Sequence, residues 1–410
     1  MDGVRPSSLS TRWRGPCGLK RSAEVVTFGV VISAAFLIFL SMGGLKSRKR
    51  LDLDHSSFCQ FPAIYNFGDS NSDTGAVSAT FGRLSLPNGQ TFFGKPAGRY
   101  CDGRLIIDFV AEKLGLPYLS AYLDSIGANF RHGANFAASG SSIQPADSAI
   151  LKGHVNPLSL NIQLLQFEQF KERTAELYTE AKNSYHKSGL PRPEDFSKAL
   201  YTMDTGQNDL HAGITSMRVE EVQKHIPNII NEFSLNVKNL HQLGARTFWI
   251  HNTGPIGCLP FFVVNYPPKA GNSDQNGCVK SYNDLAQEFN RQLKDKISQL
   301  RTQLSDVFIT YVDIYSVKYA LISEAKKYGF SGPLGYCCGH YGDYRARCGR
   351  KSLVNGTELY GTSCEKPAEY LSWDGIHYSE AANKLVADQI LDGSFSDPSI
   401  AISEACHRPL

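Results

Sequence analysis

The chain has 410 residues, 42% of them hydrophobic and 20% charged, the composition of an ordinary globular protein. A net charge of +3 at this length gives no reason to expect nucleic acid or a polyanionic partner, and no internal repeat is present. Length alone suggests two or three domains, although large α/β folds exceed that rule.

The first element along the chain is apolar. A basic head at 1–24 carries Arg5, Arg12, Arg14, Lys20 and Arg21. Residues 25–45 then run for 21 positions without a charge, and Lys46, Arg48, Lys49 and Arg50 open a linker over 46–58. At about 1.5 Å of rise per residue, such a helix just crosses a hydrocarbon core of about 30 Å. Its length and late start favour an uncut signal anchor over a cleavable signal peptide, whose apolar core is about 7–15 residues. Ser41 and Gly43 are small enough to precede a cleavage site, so both readings stay open. Basic flanks on both sides weaken any orientation read from charge.

From about residue 58 onward, short apolar runs alternate with longer helical patterns, the signature of an α/β fold on a parallel sheet. Strands are predicted over 63–67, 131–136, 199–203, 247–250 and 307–312. A 3.6-residue periodicity predicts helices over 105–114, 219–243 and 282–304, with a shorter one over 379–390. The stretch 315–364, rich in Gly, Tyr and Cys, reads as an ordered loop region. Nine of the ten cysteines follow the apolar run, and Cys337, Cys338, Cys348 and Cys364 crowd together. That clustering points to disulfides in an oxidising compartment. A zinc site is the rival, but no CxxC pair exists and the spacings fit no usual template. An odd count leaves at least one thiol free or paired with another chain. Asn355-Gly356-Thr357 is the one glycosylation sequon.

In open α/β sheets, ligands bind outside the carboxyl ends of the strands, so chemistry is expected in the residues just after each strand. Gly68-Asp69-Ser70 follows the first strand and can present a hydroxyl on a tight turn. Ser139-Gly140 follows the second, where glycine lets a backbone N–H approach an oxyanion. Gly206-Gln207-Asn208-Asp209 follows the third and offers an amide donor, and Asp374-Gly375-Ile376-His377 lies near the end. Together they hold what acyl transfer needs: Ser70 as nucleophile, His377 as base and acid, Asp374 to orient the imidazole. The N–H groups of Ser70 and Gly140 and the Asn208 amide would bind the oxyanion. Taken singly the signals are weak: a Ser-rich turn is usually just a turn, and Asn208 could simply cap a helix. Gly89 to Lys95 mimics a phosphate-binding loop, but Pro96 stands where a Ser or Thr is required. Neither GxSxG nor HExxH occurs, so an α/β-hydrolase elbow and zinc-dependent hydrolysis have no support, and no metal or other cofactor is expected.

In family order, the blocks Tyr65 to Gly75, Gly103 to Phe109, Gly133 to Ala137, Gly206 to Asp209, Asn252 to Pro260 and Asp374 to His377 resemble the plant GDSL esterase/lipase family of SGNH hydrolases. The resemblance covers roughly 59–392, leaving 393–410 as a C-terminal tail. It implies one three-layer α/β/α domain with a central parallel sheet, flavodoxin-like, and oxyanion donors at the positions argued above. Family members commonly begin with a short secretion signal, and the long basic head departs from that. The resemblance and the anchor together lead to the expectation of a type II Golgi membrane protein with a luminal domain. Such a protein would remove O-acetyl groups from a cell-wall polysaccharide such as xylan; secretion to the cell wall is the alternative location. Lipid esters or small acetylated metabolites are the alternative substrates. Two rivals of another class are a non-catalytic glycan-binding protein and a glycosidase drawing two carboxylates from Asp69, Asp73, Asp209 and Asp374.

Overall fold

All five predicted strands form, each within two residues of its expected ends: β1 (Ile64–Gly68), β2 (Gly133–Asn135), β3 (Leu200–Asp204), β4 (Thr247–His251) and β5 (Phe308–Val312). The computed structural model describes residues 59–151, 156–180, 187–341 and 345–407. The expected anchor at 25–45, with its basic flanks, lies outside the described residues. The five strands are parallel, in the order β2-β1-β3-β4-β5, which is the flavodoxin-like winding. Register runs Ala134↔Tyr65↔Tyr201↔Phe248↔Ile309 across the sheet. β1 and β4 are buried at every position, as a sheet covered on both faces requires.

Nine α-helices are described: α1 (Ala76–Thr80), α2 (Ile106–Lys113), α3 (Leu160–Glu180), α4 (Gln207–Ser216), α5 (Val219–Gln242), α6 (Pro260–Asn265), α7 (Lys280–Gln303), α8 (Ile314–Ser323) and α9 (Glu380–Ile390). They pack in two groups, α3–α5–α7 and α2–α9–α8, giving the helical layers of the sandwich. Aromatic contacts lock α3 onto β1. The Phe167 ring meets Tyr65 at 5.1 Å and Phe67 at 5.7 Å, while Tyr65 stacks on Phe196 at 5.1 Å. Burying each such ring stabilises by about 1.5–3 kcal/mol, and here that holds the strand leading to Ser70.

Two sequence expectations are corrected. The stretch 315–364 is not all loop. It starts inside α8, which Asp313 caps by accepting the Ser316 N–H, and later holds two antiparallel strand pairs, 340–341 with 345–346 and 351–354 with 357–360, the second pair a hairpin. Nor do residues 393–407 hang free as a tail. Ser396–Asp397 pairs antiparallel with β5 at the sheet edge, and Cys406 is disulfide-bonded to Cys59. Three further disulfides, Cys258–Cys278, Cys337–Cys364 and Cys338–Cys348, leave Cys101 as the free, buried thiol among the described residues. Asn355 and Gly356, at φ 49° and 76°, make the two-residue turn of the second hairpin, exposed where a glycan could be attached.

Candidate active site

Ser70 owes its position to the turn that ends β1. Gly68 has φ 150°, and a Cβ there would lie 2.2 Å from the Asp204 carbonyl oxygen, so no other residue fits. Gln163 of α3 grips this glycine twice: its amide donates to the Gly68 oxygen at 2.8 Å and its own oxygen accepts the Gly68 N–H at 2.9 Å. Asp69 then turns the chain by accepting the Asn71 N–H at 2.9 Å. It is wholly buried, and burial, followed by the nearby Asp204 charge, pushes its carboxyl upward.

The neighbouring loop is tied to this turn by Asp73. Its carboxylate accepts the N–H groups of Gly75 at 2.7 Å, Ala76 at 2.6 Å and Val77 at 3.2 Å, and also that of Ser139 at 2.8 Å. Ser139 precedes Gly140, which takes φ 80° at the turn. Asn135 adds a second tie, donating to the Ser72 carbonyl at 2.6 Å while its oxygen accepts the Ala137 N–H at 3.0 Å. Asn208 sits in the first turn of α4, whose N-cap is Gly206 and carries no side-chain cap. The helix-cap reading of Asn208 is therefore set aside. Its amide spends one hydrogen on the Ser141 carbonyl at 2.9 Å, and a carboxamide has two to give. Asp209 pins the same helix by accepting the N–H groups of Ile143 at 2.8 Å and Gln144 at 2.9 Å; burial pushes its carboxyl up to about 7.

Asp374 builds the turn that carries His377. One oxygen accepts the Ile376 and His377 N–H groups at 3.0 and 2.8 Å, and the other meets His377 Nδ1 at 2.7 Å. Burial alone would raise this carboxyl, but the His377 charge and hydrogen bond, with the two amides, hold it below its ordinary value. With Nδ1 occupied by a carboxylate, Nε2 is the imidazole nitrogen available for a proton from elsewhere. The ring of Tyr100 lies 5.3 Å from that of His377.

Ser70, Gly140, Asn208, Asp374 and His377 all line one cleft of about 670 Å³. Sequence reasoning missed other residues of its wall, among them Tyr100, Asn156, Arg345, Arg347 and Arg350. No local motif marks them, because they come from loops that only the fold gathers. Of the four carboxylates offered for a glycosidase, Asp374 alone lines the cleft, while Asp69, Asp73 and Asp209 are buried and hold backbone amides. Among the described residues, the one group with metal-ligand geometry is Cys258, Asp274 and Cys278, and its two sulfurs are bonded to each other.

A family model described as GDSL-like Lipase/Acylhydrolase matches residues 64–390. The chain is 53% identical to GDSL esterase/lipase At5g14450 of Arabidopsis thaliana, over 85% of this chain and 90% of that protein. It is 49% identical to Alpha-L-fucosidase 3 of the same plant, over 86% and 94%. A third relative, GDSL esterase/lipase ACHE of Zea mays, is 50% identical over 85% and 90%. Among solved structures, Axe2, an acetylxylan esterase from Geobacillus stearothermophilus, covers 86% of this chain and 100% of its own at 13% identity and a TM-score of 0.34. That likeness is too slight to bear on substrate.

Proposed function

Because the chain belongs to the GDSL lipase/acylhydrolase family and is a serine hydrolase of its esterase/lipase kind, we propose that Ser70, His377 and Asp374 act as its triad. The observation carrying this reading is the pairing of His377 Nδ1 with Asp374 at 2.7 Å on the wall that also holds Ser70. Ser70 Oγ attacks the ester carbonyl carbon while His377 Nε2 takes its proton. The tetrahedral oxyanion collapses, the bond from carbonyl carbon to alcohol oxygen breaks, and the alcohol leaves with the proton from His377. Water then attacks the acyl-enzyme, again through His377, and releases the acid and Ser70. The N–H groups of Ser70 and Gly140 and the side-chain amide of Asn208 serve as oxyanion donors. Removing one such donor costs roughly 2.7–4 kcal/mol of transition-state stabilisation.

The substrate we favour is an O-acetylated cell-wall glycan such as xylan, met in the Golgi by a luminal domain that residues 25–45 anchor as a type II protein. Four disulfides support an oxidising, secretory address. Acetate release from acetylated xylan, compared with fatty-acyl esters, tests the substrate. A fluorophosphonate probe should label the chain but not Ser70→Ala; equal labelling of both would remove Ser70 as nucleophile. Retention of the full-length chain in carbonate-washed membranes tests the anchor, and a mature N-terminus near residue 44 would refute it.

A further inference from the structure

The cleft is more basic than the whole-chain charge of +3 suggests. Arg345, Arg347 and Arg350 line one wall, all three exposed. None forms an ion pair with any described residue. The single carboxylate in the lining, Asp374, is engaged by His377. Among the described residues, no carboxylate is therefore left to neutralise the three guanidinium groups that line the cleft.

The segment bearing them is held in place. Cys348, in its middle, is bonded to Cys338, and Gly349 donates its N–H to the Gly361 carbonyl at 2.8 Å. The Gly361 N–H returns a bond to Arg350 at 2.9 Å. Gly349 has φ 65°, and a Cβ there would come within 2.9 Å of the Leu86 carbonyl oxygen, so the segment lies tight against the residues before Asn88. The guanidinium of Arg345 lies over two rings, Phe261 at 5.0 Å and Tyr341 at 5.5 Å. Arg350 lines the same cleft as Tyr100, the ring beside His377. The backbone carrying the cations is thus held on the cleft that also holds His377, and a held backbone leaves less freedom to lose on binding.

We propose that this cleft selects ester substrates whose sugar rings carry free carboxylates, so that Arg345, Arg347 and Arg350 bind uronate groups flanking the ester. The assignment rests on the ester-hydrolase reading above and narrows its substrate. Guanidinium pairs with carboxylate in a planar, two-bond geometry that an ammonium cannot match. Aromatic rings of Tyr100, Tyr341 and Phe261 line the same cleft, and such rings suit sugar faces. An anionic lipid is the rival. It would present one charge to three guanidinium groups and would have to seat its acyl chain along Val77, Phe81, Leu84 and Ile376.

The test is acetate release by the full chain from one acetylated oligogalacturonide in two forms, with free carboxylates and with those carboxylates methyl-esterified. The free-acid form should have the higher kcat/KM, by about tenfold or more at low salt, the gain that a charged cleft lends to association. Raising ionic strength should erode that preference in the unmodified chain, and Arg347→Gln/Arg350→Gln should bring the ratio of the two kcat/KM values close to one. Equal kcat/KM on both forms, or an unchanged ratio in a folded double variant, overturns the proposal. Faster acyl release from phosphatidylglycerol vesicles than acetate release from the acidic oligomer overturns it in favour of lipid. Loss of turnover on every ester, p-nitrophenyl acetate included, would instead sink the hydrolase reading beneath it.

Discussion

Asp374 illustrates how few residues a working site needs when each is used twice. One of its oxygens shapes the turn by accepting two backbone N–H groups, and the other holds the imidazole of His377. The same economy applies at Asn208, which donates one amide hydrogen to Ser141 and sits on the cleft wall. The proposed role for its second hydrogen has a distinct kinetic signature. An oxyanion exists only after Ser70 attacks, so Asn208→Ala should lower kcat by about 10²–10³ and leave KM nearly unchanged. Losing the bond to Ser141 should cost only about 0.5–1.5 kcal/mol of stability. Kinetics and a melting curve on this one variant decide the matter. A large fall in melting temperature with normal turnover would make Asn208 a structural residue.

At the scale of elements, the cleft is assembled by carboxylates that tie loops to helices, and one of them sets a pH dependence. Asp209 joins α4 to Ile143 and Gln144, and burial lifts its carboxyl to about 7. A free Asp in the unfolded chain titrates near about 3.9. Between those values the folded chain keeps a proton that the unfolded chain has released. This contribution is therefore greatest below about pH 4, shrinks as pH rises toward 7, and levels off above. Asp209→Asn cannot titrate. From pH 5 to 7 the parent should lose about 2 kcal/mol relative to the variant in urea unfolding; parallel slopes would show that Asp209 ionises normally. The strands on which these loops hang were legible because each is a short apolar run ending in Gly or polar residues. Helix α3 was not. Its buried stripe includes Gln163 and Thr174, while Leu165 and Leu177 face outward at 55% and 49% exposure, so the apolar period is broken. The Gln163 clamp on Gly68 was lost with it. The Asp and His of the C-terminal block were readable because only Gly375 and Ile376 stand between them. The arginine wall was not, because a near-neutral total charge conceals where charges gather.

At the scale of the whole molecule, the chain is closed on itself. Cys59, five residues before β1, is bonded to Cys406, 347 positions away, and its N–H donates to the Ser403 carbonyl at 2.7 Å. The C-terminal segment thereby reaches back across the sheet edge, where Ser396 and Asp397 pair with β5. A cross-link spanning so long a loop restricts the unfolded chain strongly, and native bonds of this kind contribute about 2–4 kcal/mol. The cleft, however, is held by other means: Gln163 on Gly68, Asp73 on the Ser139 amide, and Cys338–Cys348 beneath the arginines. Cys59→Ala/Cys406→Ala should therefore melt on the order of 5 °C lower while keeping near-parental kcat on a small ester well below its transition. The two losses separate if closure is a matter of global stability and coincide if it positions the site. A variant with unchanged melting temperature and depressed kcat would show that the terminal bond holds the cleft, and would place the start of β1 under its control.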